Sequence, residues 1–374
     1  MSPSPSRRRA AARAAAPLAL SFAALAAPAH AQPAAPAPDP PVVERGPGAP
    51  GPAPRLPRGG MTEWVLHRSA DGAHPDPLEQ QMMWFMNRAR QDPSAEGVWL
   101  ATTNEADIAL PRAWFDVDVD VLMLEFAALE PAPPAAFDRR LWDAARLHSE
   151  DLIARDAQDH NGQLQKVNAA GFDYLDARFS VFSYTESPLN GHGALNIDWG
   201  PGDGTGMQPG RGHRLAIMLD YDNVGIALVP DASGATAVGP LVFSGNYAHA
   251  DTGTLDHYDR FLVGTVWVDE DEDGFYDPGE GRAGVTVTPD AGSFYAVTAA
   301  GGGYAIPITA PGTYGVTFTG GGIGTQQRSA NVGGTSVLLD LELPAPEPAR
   351  LLLFLTGAAV LRAAGRIRPR RTPS

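Results

Sequence analysis

Between His148 and Arg214 the chain gathers three imidazoles, His148, His160 and His213, and the carboxylate of Glu186, set among helical and loop signals. Two imidazoles with one or two carboxylates suit Zn²⁺ or a similar borderline ion, with an open position left for water. The same groups can instead hydrogen-bond one another across a cleft and hold no metal. Both readings stay open on spacing alone, because no local motif sets the distances between these residues.

A second constellation carries its chemistry in its spacing. Residues 269–280 read DEDEDGFYDPGE, which fits the twelve-residue calcium template. Asp269, Asp271 and Asp273 stand at positions one, three and five, Gly274 at six for the sharp turn, and the main-chain carbonyl of Phe275 at seven. Asp277 stands at nine and Glu280 at twelve, the bidentate place. Without a cation these carboxylates repel one another, so Ca²⁺ binding and folding of this part are expected to be linked. The flanks, FLVGTVWV and AGVTVTP, are strand-like, so the loop is expected to bridge two strands and not two helices.

The elements that must position these groups follow from periodicity. Leu78, Met82, Phe85, Met86 and Ala89 fall three and four apart and Pro93 closes the pattern, which predicts an amphipathic helix. Asp138 is placed to cap the next helix, on which Leu141, Ala145, His148 and Leu152 share one face. That face points His148 inward, where a satisfied core histidine is the plain alternative to a ligand. Six glycines between Gly200 and Gly212 mark a loop with little core to offer. The runs NVGIALV and GPLVFSGNY then read as strands. From Phe261 six short β-rich runs follow, separated by turn signals, which predicts a small antiparallel sandwich.

The ends differ from the middle. Residues 1–31 run basic, apolar, then Ala29-His30-Ala31, the pattern of a secretory signal peptide, and residues 32–60 form a Pro/Ala-rich linker. The span 32–349 holds 18 basic and 43 acidic residues, a formal charge of −25, which argues against nucleic acid and anionic lipid as partners. With no cysteine, an exported chain has to be held by its cores or by metal.

The segments MNRARQDP, AARLHSEDLIARDAQDH, AGF at Ala170 to Phe172, TES at Glu186, and GHRLAIM followed by VGIAL together resemble the CAP superfamily in its cysteine-free bacterial form. This is the group of cysteine-rich secretory, antigen-five and pathogenesis-related proteins, and the resemblance covers roughly residues 75 to 250. It implies an α+β fold, a three-layer α/β/α sandwich with a cleft lined by two His and two acidic residues. Carried onto this chain, it implies His160 and His213 as the two His, Glu186 as the first Glu, and His148 as the additional His of bacterial members. The second Glu is not where the family has it; Asp198 is the nearest substitute, with His192 close by. The β-rich part is similar to the B-type stalk domains of bacterial surface proteins. Pro346-Glu347-Pro348, an apolar run and a cluster of arginines resemble a PEP-CTERM sorting tail, which implies removal by an exosortase-type enzyme.

The expected organisation is therefore a CAP domain over 61–255, a calcium-binding β-sandwich over 256–343 and a sorting tail over 344–374. The expected function is an exported, cell-surface or matrix-associated protein whose cleft binds a lipid, glycan or peptide. The alternative is a metal-dependent extracellular hydrolase in which an ion such as Zn²⁺, held by His160, Glu186 and His213, activates water, with Asp198 or His148 carrying the proton. The sequence has no G-x-S-x-G and no H-E-x-x-H segment.

Overall fold

The computed structural model describes residues 60–345. The signal segment, almost all of the linker and nearly the whole sorting tail lie outside the described residues. The described chain opens on β1 (Thr62–Glu63) and a single 3₁₀ turn, Val65–His67. The first predicted helix is α1 (Pro77–Gln91), and a capping box starts it: the Asp76 carboxylate accepts from Glu79 N at 2.9 Å, and Glu79 Oε2 accepts from Asp76 N at 3.0 Å. Pro93 does end α1, and it also opens α2 (Pro93–Thr102), capped by Asp92. Two short helices follow, α3 (Ala106–Trp114) and α4 (Val119–Ala127). After β2 (Ala136–Phe137), Asp138 caps α5 (Arg139–Arg155) as its position predicts, accepting from Arg140 N.

The next elements are α6 (Gln163–Ala170), β3 (Tyr174–Thr185), α7 (Pro188–Ile197), α8 (Gly212–Met218), β4 (Asn223–Pro230) and β5 (Leu241–Ala250). Four strands make one sheet in the order β2-β4-β5-β3, parallel at β2/β4 and antiparallel elsewhere. On one face Val224, Ile226 and Leu228 of β4 pack with Met82 and Met86 of α1 and with Leu195 and Ile197 of α7. On the other lie α5 and α6, through Leu141, Ala144 and Val167 against Ala177, Ala248 and Ala250. The result is an α/β/α arrangement of three layers. Gly225 explains how α5 comes so close: a Cβ there would overlap the backbone of Leu141 and Trp142.

The β-rich part contains β6 (Phe261–Val268), β7 (Val285–Pro289), β8 (Phe294–Val297), β9 (Gly303–Pro307), β10 (Gly312–Gly320), β11 (Gln326–Val332), β12 (Val337–Leu338) and β13 (Leu341–Leu343). One sheet runs β1-β8-β7-β10-β11; in the other, β6 pairs with β9, β12 and β13. Leu262, Val266, Val287, Ile306, Val316 and Phe318 fill the space between them. The central pairs are antiparallel, whereas β1/β8, β12/β6 and β13/β6 are parallel. The run SVLLDL is divided into β12 and β13, and β11 (QQRSANV) is a strand whose polar, exposed residues hide it from a hydrophobic pattern.

The two parts are stitched together. β1 precedes the helices in sequence yet pairs with β8, and Trp64 packs with Phe261, Val263, Ala305 and Ala136. Within unit 37–374 the described residues form one compact body.

Candidate functional site

The inward face of α5 is as expected: Leu141, Ala145, His148 and Leu152 are fully buried. His148 is satisfied where it sits. Its Nε2 lies 2.9 Å from the Asp159 carbonyl, and Lys166 Nζ lies 3.4 Å from its Nδ1. Burial holds the imidazole down at about 4, so it is neutral over the ordinary range. His160 lies beyond the helix end and is exposed, with Nδ1 2.8 Å from Gln163 Oε1. Glu186 is exposed at the junction of β3 and α7.

His213 and Asp198 are two of the expected cleft residues, and the fold does bring them together. Asp198 follows α7 in the left-handed region, φ +57°, and is wholly buried. One carboxylate oxygen is 2.9 Å from His213 Nδ1 and the other accepts from His213 N at 3.0 Å, at the start of α8. This fixes the ring and leaves Nε2 as its working nitrogen, the arrangement of a base with an orienting acid. Among the described residues, groups of three or more metal-ligand atoms within 4.8 Å of one another occur at His74, Asp76 and Glu79 and at Asp269, Asp271 and Asp273. His160, Glu186 and His213 form no such group, and in this arrangement each imidazole has its own separate partner.

The pattern of residues did not single out a further buried charge cluster of this half. Glu96 of α2 and His192 of α7 are both nearly inaccessible, and His192 Nε2 lies 2.7 Å from Glu96 Oε1. Arg88 of α1 forks onto the same carboxylate with two contacts of 2.9 Å. Burial pushes Glu96 up, but His192 and Arg88 outweigh it and hold it below the usual carboxylate range. Burial keeps His192 below its ordinary value despite Glu96. The physical description is an ionised Glu96 balanced by Arg88, with a neutral His192 donating to it. The His192 ring stacks on Phe85 at 4.9 Å.

The acidic loop joins β6 to β7, two strands of different sheets, as its flanks predict. Gly274 has φ +80°, the turn that position six requires. Asp269 accepts from Asp273 N and Gly274 N, at 3.2 and 2.9 Å. Both Glu280 oxygens accept from backbone, Glu270 N and Asp277 N, at 2.7 Å each. Burial, then neighbouring carboxylates, raise Asp273, Asp277 and Glu280 above their ordinary values. The donor set is hard oxygen throughout, which fits Ca²⁺ far better than Zn²⁺. The loop also grips the helices: Gln81 Nε2 donates to the Tyr276 carbonyl at 3.0 Å and to Asp277 Oδ1 at 2.8 Å. Phe275 stacks on Trp99 at 5.4 Å, with the Arg88 guanidinium 4.7 Å from its ring centre.

No family model matches the chain, and no curated protein matches it. Among solved structures, an extracellular protein containing an SCP domain from Bacillus anthracis str. Ames is similar at 12% identity and a TM-score of 0.25. The match covers 37% of this chain and 39% of that one, so this chain spans well under half the length of that structure. So low a score carries no argument about fold or activity. No helix of the described residues is long and apolar enough to cross a membrane.

Proposed function

We propose that this is an exported binding protein of CAP type, with a cleft for a lipid, glycan or peptide and a β-rich part stabilised by Ca²⁺ in the 269–280 loop. The observation that carries the binding reading is the separate partnering of the imidazoles. His148, His160 and His213 each have a hydrogen-bond partner of their own, and His160, Glu186 and His213 form no group of ligand atoms within 4.8 Å of one another, so a shared Zn²⁺ would require those side chains to move together. The order of the matching segments along a three-layer fold supports the CAP assignment, and the basic–apolar–small N-terminus supports export. The sequence resemblance suggests an exosortase-type enzyme as the processing partner of the tail.

One observation favours the hydrolase as a second reading. Asp198 orients His213 as it would a general base, and 23% of the His213 side chain is accessible. Immobilised full-length protein should retain a ligand from lipid, glycan and peptide panels, and His213→Ala should weaken that retention while a Zn²⁺-selective chelator, with Ca²⁺ kept present, leaves it unchanged. Hydrolysis of an ester or amide panel, lost on chelation and lost in His160→Ala, would overturn the binding reading in favour of the metal hydrolase.

A further inference from the structure

A cavity of about 210 Å³ lies where the helices meet the β-rich part. Its walls are largely apolar, from Met83 and Trp84 of α1, Phe137 of β2, Val263 of β6, Tyr304 of β9 and Leu338 of β12. Two polar groups line it that the rest of the molecule leaves incomplete. His67, at the end of the 3₁₀ turn, is 1% exposed, and neither ring nitrogen has a hydrogen-bond partner. Asp340 is half-buried and accepts from Thr265 N at 2.7 Å, with the Trp84 side chain as a further donor. Neither donor carries a charge. Arg88, the cation in the lining, is committed to Glu96 at 2.7 Å.

A buried imidazole with no partner and a carboxylate with no counterion are both costly unless something in the cavity completes them. We propose that the cavity is a binding site for a small organic cation, an alkylammonium group, with Asp340 as its counterion and His67 as a hydrogen-bond acceptor. Trp84 and Tyr304 bring aromatic surface to the lining, a kind of surface that attracts a positive charge and already holds the Arg88 guanidinium 5.3 Å from the Trp84 ring centre, and the apolar walls accept the hydrocarbon. Asp92, exposed at the lining's edge, and the overall formal charge of −15 bias the approach toward cations. The titration behaviour agrees. Burial holds His67 near 3, leaving it neutral and able to accept, and burial without a counterion pushes Asp340 up to about 6.

Calorimetric titration of the full chain near neutral pH tests it, with n-butylammonium against n-butanol, which share a hydrocarbon and differ in charge. Saturable binding of the ammonium, about tenfold or more tighter than the alcohol, is expected, and Asp340→Asn should remove at least that factor. A peptide with a single lysine is the third titrant. Binding of either amine supports the site, and which of the two binds tells whether the cation is a free amine or a side chain. Equal affinities for ammonium and alcohol, no saturable heat with either amine, or undiminished binding to Asp340→Asn would each overturn the proposal. If Asp340→Asn does not fold, the contrast between ammonium and alcohol on the unaltered chain decides alone.

Discussion

In the helical half several acids sit against bases: Glu96 with Arg88 and the His192 imidazole, Asp198 with His213, and Glu125 with Arg211 and Arg214. In the β-rich half the loop 269–280 sets carboxylate beside carboxylate, and most of the hydrogen bonds it accepts come from main-chain amides. The first arrangement is electrostatically complete as it folds. The second leaves carboxylates facing one another, a set that the proposed Ca²⁺ would complete. The difference teaches that two acidic clusters of similar size can have opposite needs, which the identity of their neighbours decides and not their number.

The largest expected effect comes from breaking a complete pair. Glu96→Ala leaves Arg88 half-buried and without its carboxylate, and should cost about 3–5 kcal/mol in chemical unfolding. A loss below about 1 kcal/mol would mean that this half tolerates open charges as the loop does, and the contrast would fail. The loop comes next. Ca²⁺ at about one hundred times its dissociation constant should stabilise the full chain by about 2.7 kcal/mol over the chelated protein, read as a rise in melting temperature. Asp269→Ala and Glu280→Ala should each remove most of that rise. Identical melting in Ca²⁺ and chelator would show the loop to be a solvated acidic turn.

His148 supplies a pH-dependent test of the complete half. Its folded value, about 4, lies below the ordinary 6.5, so the unfolded chain takes up the proton first as pH falls. The stability that neutral His148 contributes is therefore whole above about 6.5 and is lost as pH falls toward 4. Relative to His148→Asn, which does not titrate, the unaltered chain should lose on the order of 1–3 kcal/mol across that window. A constant difference between the two melting curves would place the imidazole in contact with solvent. The smallest effect belongs to the exposed Arg155, paired with Asp151 and Asp159 on the surface of α5 and just beyond it. Arg155→Ala should shift stability by no more than about 0.5 kcal/mol, since solvent already screens those charges.

These contrasts also explain what was legible in the residues. The α1 and α5 faces, the Asp138 cap and the strands β4 to β10 follow from local periodicity and capping, which act within a few positions. The loop template is likewise local, so its placement between two strands could be foreseen. The Glu96–His192 pair could not, because its members stand 96 positions apart and only the tertiary fold, with α2 and α7 both against α1, joins them. β3 was hidden for another reason: several of its buried positions are Ser180, Ser183 and Thr185, which break the apolar alternation. The cavity at the seam draws on residues from His67 to Asp340, so no segment of the sequence announces it.

Phe275 holds position seven of the acidic loop and is also wedged among Trp84, Phe85, Trp99 and Arg88 of the first two helices. An ion that reshapes the loop must therefore move, or be resisted by, a surface of the other half. For the proposed Ca²⁺ such a coupling would be reciprocal: whatever tightens α1 and α2 around that ring would raise the loop's affinity for the ion by the same factor that the ion tightens the helices. Ion affinity then serves as a gauge of docking. Measured in Phe275→Ala, it would report how much of the loop's grip on the proposed Ca²⁺ is borrowed from the helices across the seam.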